Sequence, residues 1–163
     1  MSHLTSHPAQ HSHSLMSLML WSPASWSYPL PPGHRFPVAK YTLLRDRVLA
    51  ERLIDGTQLH APDSVTDEAL RRVHAEYLRD LREGTLDVGA IRRLGFPWSL
   101  ALVERAARAV GGTVAAARHA LSHGLAMNLA GGTHHAFAEH GEGFCVFNDV
   151  AIAIRTLRHE RLA

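Results

Sequence analysis

Apolar positions recur at helical spacing in four parts of the chain. From Tyr41 to Ile54, Leu43, Leu44 and Val48 repeat in phase with Arg47 and Glu51, which predicts a helix. Ser64-Val65-Thr66-Asp67 is a capping signal ahead of Leu70, Val73, Tyr77, Leu78 and Leu81, with Gly84 as a stop, and predicts one amphipathic helix or two short ones. Pro97 to Val110 and Gly112 to His123 read as two further helices, separated by Gly111-Gly112 and ended by Gly124. Leu125 to Leu129 is a short apolar run of strand length that leads into glycines. From Asn148, with Asn148 or Asp149 as cap, Val150, Ala151, Ile152, Ile154 and Leu157 form a helix so apolar that it must be well buried.

Helices alternating with isolated strand-like runs indicate an α/β layer fold whose sheet is unfinished, since only one or two strands are visible. There is no internal repeat and no heptad pattern. Residues 1–34 contain no Asp, Glu, Lys or Arg and are rich in Ser, Pro and His. Residues 1–27 are therefore expected to be a disordered N-terminal tail, and Pro31 to Pro37 a loop. His3, His7, His11 and His13 can chelate a metal only after a floppy segment is ordered, so functional binding is not expected there.

Composition narrows the classes. At 163 residues, 46% hydrophobic and 20% charged, the chain is one domain of ordinary globular character, which excludes collagen-like repeats and wholesale disorder. The single Cys145 permits no internal disulfide. The basic residues, sixteen Arg and Lys40, interleave with fifteen acids to leave a net charge of +2, with no localised patch for nucleic acid. An Arg-heavy, Lys-poor balance points to a GC-rich, bacterial genome. The longest apolar run, Leu15 to Trp21, is interrupted by Ser17, is too short for a bilayer and is not preceded by Lys or Arg, so a soluble cytoplasmic protein is expected.

Histidine is the compositional outlier, thirteen in all, and the densest chemistry lies around two of them. Leu129-Ala130-Gly131-Gly132-Thr133-His134-His135-Ala136 runs from strand into glycine and then into adjacent imidazoles, followed by Gly141-Glu142-Gly143-Phe144-Cys145-Val146-Phe147-Asn148-Asp149. Glycines let the backbone turn sharply and let a substrate come close, and paired imidazoles titrate near neutral pH, which suits acid–base chemistry. His-His pairs also occur on loops without function, and spacing does not separate the two readings. His119 and His123, at i and i+4, can present two zinc-binding nitrogens but have no companion ligand and lack the Glu of the zincin motif. Cys145, between Phe144 and Val146, reads as a buried, inert thiol rather than a nucleophile.

Gly131 to Ala136 followed by Gly143-Phe144-Cys145-Val146-Phe147-Asn148-Asp149-Val150-Ala151 resembles the active-site signature of the zinc-dependent histone deacetylase family and its bacterial relatives. Gly33 to Pro37 with Lys40-Tyr41, Val73-His74-x-x-Tyr77-Leu78, and Gly111-Gly112-Thr113 resemble that family's upstream landmarks in order, so the likeness spans roughly residues 28–163. The resemblance implies an arginase/deacetylase-like fold, a parallel sheet with helices on both faces that is incomplete in this chain. It implies His134 and His135 as catalytic residues, with His135 the general acid and base, and Gly143 and Phe144 as substrate-binding walls of a narrow tunnel. It implies zinc as cofactor and an acylated lysine or small acylated amine as substrate; the interleaved charge and the short apolar runs lead to no expected nucleic-acid or membrane partner.

The zinc ligands of that family, an Asp-x-His pair and a later Asp, have no counterpart, since no Asp-x-His occurs anywhere in the sequence. The expectation is therefore the N-terminal portion of a zinc amidohydrolase, inactive alone, with its metal ligands downstream of Ala163. The rival reading is a non-catalytic fragment or pseudo-enzyme with a structural or interaction role.

Overall fold

The structure, a computed structural model, describes residues 18–162. Three strands, β1 (Met19–Trp21), β2 (Leu59–His60) and β3 (Ala126–Asn128), form a parallel sheet in the order β2-β1-β3. Leu20 lies beside Leu59 and Met127, and Trp21 beside His60 and Asn128. Among the described residues six α-helices accompany it: α1 (Lys40–Ala50), α2 (Asp67–Arg71), α3 (Ala75–Glu83), α4 (Val88–Leu94), α5 (Leu100–His123) and α6 (Asp149–His159).

Alternation along β1 sends neighbouring side chains to opposite faces. Leu20, 2% exposed, packs with Val48 of α1, Ile54 and Leu129. Trp21 faces the other way, its ring 5.8 Å from that of His119 on α5. Helices therefore flank both faces of the sheet, as expected of an arginase/deacetylase-like layer fold. The larger core lies on the α5 side, where Leu70, Tyr77, Leu78, Leu81, Leu94, Val103, Val110, Phe147 and Ile152 gather from five helices and the loop before α6.

Residues 18–27, expected from the sequence to belong to a disordered tail, are part of the fold. Met19–Trp21 is the central strand instead, and Ser22, whose N–H donates to the His60 carbonyl at 2.9 Å, is buried. A central parallel strand is covered on both faces and reads as a short apolar run without alternation, which is how Met19-Leu20-Trp21 reads. Residues 1–17, with the four tail histidines, lie outside the described residues.

Gly111-Gly112, expected from the sequence to separate two helices, do not: α5 runs unbroken through them for 24 residues. A β-carbon on Gly111 would lie 1.9 Å from the Asp63 carbonyl oxygen, and one on Gly112 would lie 2.8 Å from the Asn128 carboxamide. The glycines are there so that two other segments can approach the helix. Elsewhere the capping signals act nearly as read. The amphipathic stretch is two short helices, α2 and α3, with Thr66 capping the first through Ala69 N–H and Gly84 closing the second in the left-handed region. Asn148 caps α6, which is amphipathic rather than enclosed, for Ile152 and Leu157 are buried while Val150 and Ile154 are exposed.

Candidate functional site

The loop carrying His134 and His135 leaves the C-terminal end of β3, where Asn128 starts its turn. The Asn128 Oδ1 accepts from Ala130 N–H at 3.0 Å, and Nδ2 donates to the Ala109 carbonyl at 2.8 Å and to Thr113 Oγ1 at 2.9 Å, so the turn is fastened to α5. Gly131 then takes φ +76°, a conformation that glycine adopts without strain. The chain arrives at two exposed, adjacent imidazoles, their ring centroids 4.4 Å apart.

Two hydrogen-bond systems hold this loop from below. In one, Asp149, 2% exposed in the first turn of α6, accepts from Thr133 N–H through Oδ1 and from the Thr113 hydroxyl through Oδ2, each at 2.7 Å. A carboxylate in that place also meets the positive end of the helix dipole. In the other, the Asn148 Nδ2 donates to the carbonyls of Ala136 (2.9 Å) and His134 (3.3 Å), while Asn148 N–H donates to His74 Nε2 at 3.0 Å. His74, wholly buried, is held below its ordinary pKa by burial.

Gly143 stands beside His135, and Phe144 follows it. A β-carbon on Gly143 would lie 3.9 Å from the Cβ and Cγ of His135. Gly143 and Phe144 both take positive φ, +57° and +69°, the second an uncommon conformation for a bulky residue. The backbone is kept there by Gly143 N–H donating to the Arg93 carbonyl (3.3 Å) and Phe144 N–H to the Leu94 carbonyl (2.9 Å). The Phe144 ring enters an aromatic group with Phe36 and Phe96, centroids 5.1 and 5.0 Å away, and the Arg35 guanidinium rests 4.8 Å from its centre. His34 ties this group to α4's end, its Nδ1 accepting from Phe36 N–H and its Nε2–H donating to the Gly95 carbonyl, both at 3.1 Å.

Behind the loop lies a cavity of about 40 Å³ lined by Tyr28, Tyr41, Arg105, Thr133 and Phe144 among others. Arg105 is 4% exposed, and its Nε and Nη2 have no protein partner. Its guanidinium sits 4.5 Å from the centre of the Tyr41 ring, and burial pulls its pKa down while pushing those of Tyr28 and Tyr41 up.

Of the residues singled out by sequence, His134, His135 and Gly143 come together, with the Phe144 ring turned toward Gly95. Cys145 is buried, and burial pushes its thiol pKa up, consistent with an inert thiol. His119 and His123 stack at 4.1 Å near the end of α5, next to Trp21. Among the described residues no group of three or more His, Cys, Asp or Glu is arranged to hold a metal ion. The supporting roles of His74, Thr113, Asn128 and Asp149 were not legible as such. The available signal was a polar residue inside an apolar stretch, His74 after Val73 and Asn128 between Met127 and Leu129.

Residues 34–163 match the histone deacetylase domain. The chain belongs to the histone deacetylase family. Within it, the chain is 46% identical over 136 residues to an uncharacterized protein of Picosynechococcus, covering 83% of this chain and 45% of that one. It is 30% identical over 154 residues to the acetoin utilization protein AcuC of Bacillus subtilis, covering 87% and 40%. The fold superposes on the crystal structure of a histone deacetylase homologue from Aquifex aeolicus with a TM-score of 0.75 at 31% identity, covering 88% of this chain and 42% of that one. A homologue complexed with SAHA gives 0.74 over the same shares. The chain thus spans less than half the length of these family members.

Proposed function

We propose that residues 28–163 are the N-terminal portion of a deacetylase domain, and that the whole protein hydrolyses the amide of an acyl-lysine or a small acylated amine to free amine and carboxylate. The observation that carries this is a pair of exposed imidazoles beside Gly143, on a loop pinned by two buried hydrogen-bond systems. A neutral imidazole takes a proton from the attacking water, and the imidazolium so formed gives it to the departing amine nitrogen, which is otherwise a poor leaving group. His135, beside Gly143, is assigned that transfer, and His134 holds the water beside it. Gly143 leaves room for a methylene stem and Phe144 offers it an apolar face. Arg105, with two unpartnered N–H groups on the cavity behind the loop, is suited to receive the carboxylate that hydrolysis releases.

The family implies zinc, which as a Lewis acid polarises the carbonyl and acidifies water. The described residues do not fit a complete zinc site, because the two imidazoles have no carboxylate or thiolate grouped with them. The ligands are assigned to the part of the family's length that this chain does not span, and no step is assigned here to the metal. The same observation favours a second reading for the 163-residue chain by itself: a non-catalytic fragment that supplies the acid–base loop and part of the sheet.

The test is made in the protein extended to the family's full span. His135→Ala should lower acetyl-lysine turnover by on the order of 10² to 10⁴, the usual worth of a positioned acid–base group, with zinc content unchanged. His135→Gln should fold normally and remain slow. Near-parental rates in both variants remove His135 from the mechanism, and loss of zinc recasts it as a ligand.

A further inference from the structure

We propose that His74 is a positioning residue for the candidate site: an imidazole carrying its proton on Nδ1 alone, which pins the chain after His135 to the start of α6 and so fixes the His134-His135 loop. The inference rests on the deacetylase reading only for its kinetic consequence; the pin itself is a matter of hydrogen bonding.

The two partners settle the tautomer. Asn148 N–H can only donate, so Nε2, 3.0 Å away, offers a lone pair. The Ala138 carbonyl can only accept, so Nδ1, 3.3 Å away, carries the hydrogen. His74 sits between α2 and α3 with its own backbone satisfied, N–H to Leu70 O at 2.9 Å and C=O from Leu78 N–H at 3.1 Å. The rings of Tyr77 and Phe147, centroids 5.8 and 5.6 Å away, box the imidazole in and leave it little room to turn. Ala138 lies three residues past His135, and Asn148 reaches the His134 carbonyl through its own carboxamide. One buried ring therefore fixes both ends of the segment that carries Gly143 and Phe144.

A second ring proton would undo this. Nε2–H would face Asn148 N–H, donor against donor, and leave a buried cation. The titratable groups facing the ring are Tyr77 on α3, neutral because burial raises its pKa, and Glu139 on the loop, whose charge favours the imidazolium but forms no ion pair with it. Burial outweighs Glu139 and keeps the ring neutral, so the pin holds at neutral pH and opens only in acid.

Substitutions separate the two tethers. The Asn carboxamide nitrogen falls where Nδ1 is and can donate to Ala138; the Gln oxygen falls where Nε2 is and can accept from Asn148; Phe fills the volume and does neither. Hydrogen exchange read by mass spectrometry on the protein extended to the family's full span, corrected for intrinsic exchange chemistry, should show the Asn148 amide protected in the parent and in His74→Gln. In His74→Asn and His74→Phe it should exchange about tenfold faster or more. Parental protection should also fall as the medium is acidified, more steeply than in His74→Gln. A residue that only fills space predicts the reverse ranking, with Phe nearest the parent; that result, or equal exchange in the Gln and Asn variants, overturns the proposal. If His74→Phe does not fold, the Gln and Asn pair decides. In the protein extended to the family's full span, His74→Asn should lower kcat for an acetyl-lysine peptide more than tenfold with KM nearly unchanged, and His74→Gln should restore part of it. An unchanged kcat in His74→Asn overturns the positioning role. A parent with no turnover of any acyl-lysine instead overturns the deacetylase reading, and the exchange ranking still decides the pin.

Discussion

Asp149 holds one carboxylate oxygen against Thr133 N–H and the other against the Thr113 hydroxyl, both at 2.7 Å and out of solvent. Truncation leaves a buried N–H without an acceptor, at about 1–3 kcal/mol for each such group. In the protein of the family's full span, Asp149→Ala is expected to cost about 2–3 kcal/mol in urea unfolding. Asp149→Asn should cost about half as much, because its oxygen can still accept from Thr133 and its amide can donate to the Thr113 oxygen. Equal losses in the two variants would show that the charge, not the hydrogen bonding, matters here. His74 and His119 give a second expectation. Both are held below the ordinary histidine value of 6.5, His74 by burial and His119 by burial together with His123 and His60. Below about pH 6.5 the unfolded chain binds protons that the folded chain refuses, so stability is complete above that value and declines as pH falls toward the depressed folded values. In the protein of the family's full span, melting temperature followed from pH 7.5 downward should drop, and drop less in His74→Gln than in the parent; parallel slopes would acquit His74. His134 and His135 were legible because adjacent imidazoles after two glycines are unusual in any sequence. His74 and Asp149 were not, because what distinguishes them is a partner 74 residues away in one instance and 36 in the other.

Helix α5 shows where pattern alone misleads about elements. Glycine in a helix interior is about 1 kcal/mol worse than alanine, so propensity predicts that Gly111→Ala stabilises. With the Asp63 carbonyl oxygen 1.9 Å from the new carbon, the loop after β2 must move instead. In the protein of the family's full span, Gly111→Ala is therefore expected to destabilise by about 1–3 kcal/mol, the usual cost of overpacking, as read by a shift in the urea midpoint. A stabilised variant would mean that the 62–65 loop gives way freely. The sequence carried no sign of that loop's approach, which is why two glycines read as a helix break. It carried clear signs of α3 and α6, whose ends are set by local chemistry: Gly84 in the left-handed region, Asn148 accepting from Ala151 N–H. Strands β1 and β2 are three and two residues long and α4, capped by Asp87, is seven, all too short to show a period.

At the scale of the molecule, a parallel sheet is stable when both faces and both edges are covered. Here β3 pairs with β1 alone, and among the described residues its other edge has no strand. Met127 on β3, Leu125 just before it, Leu121 near the end of α5, and Val150 and Ile154 on α6 are all exposed, as are Leu43 and Leu53 around α1. Family members run to more than twice the length of the matched region, so segments outside this chain are available to cover such surface. The 163-residue chain alone is therefore expected to bind a hydrophobic dye, to self-associate as its concentration rises, and to melt broadly rather than in a single sharp transition. The same residues within a protein of the family's full span should show none of the three. Dye fluorescence, sedimentation across a tenfold range of concentration, and calorimetry on both forms decide it. A monomeric short chain with a sharp calorimetric transition and no dye binding would show that the three-stranded layer is sufficient by itself, and that the open edge of β3 needs no further strand to protect it.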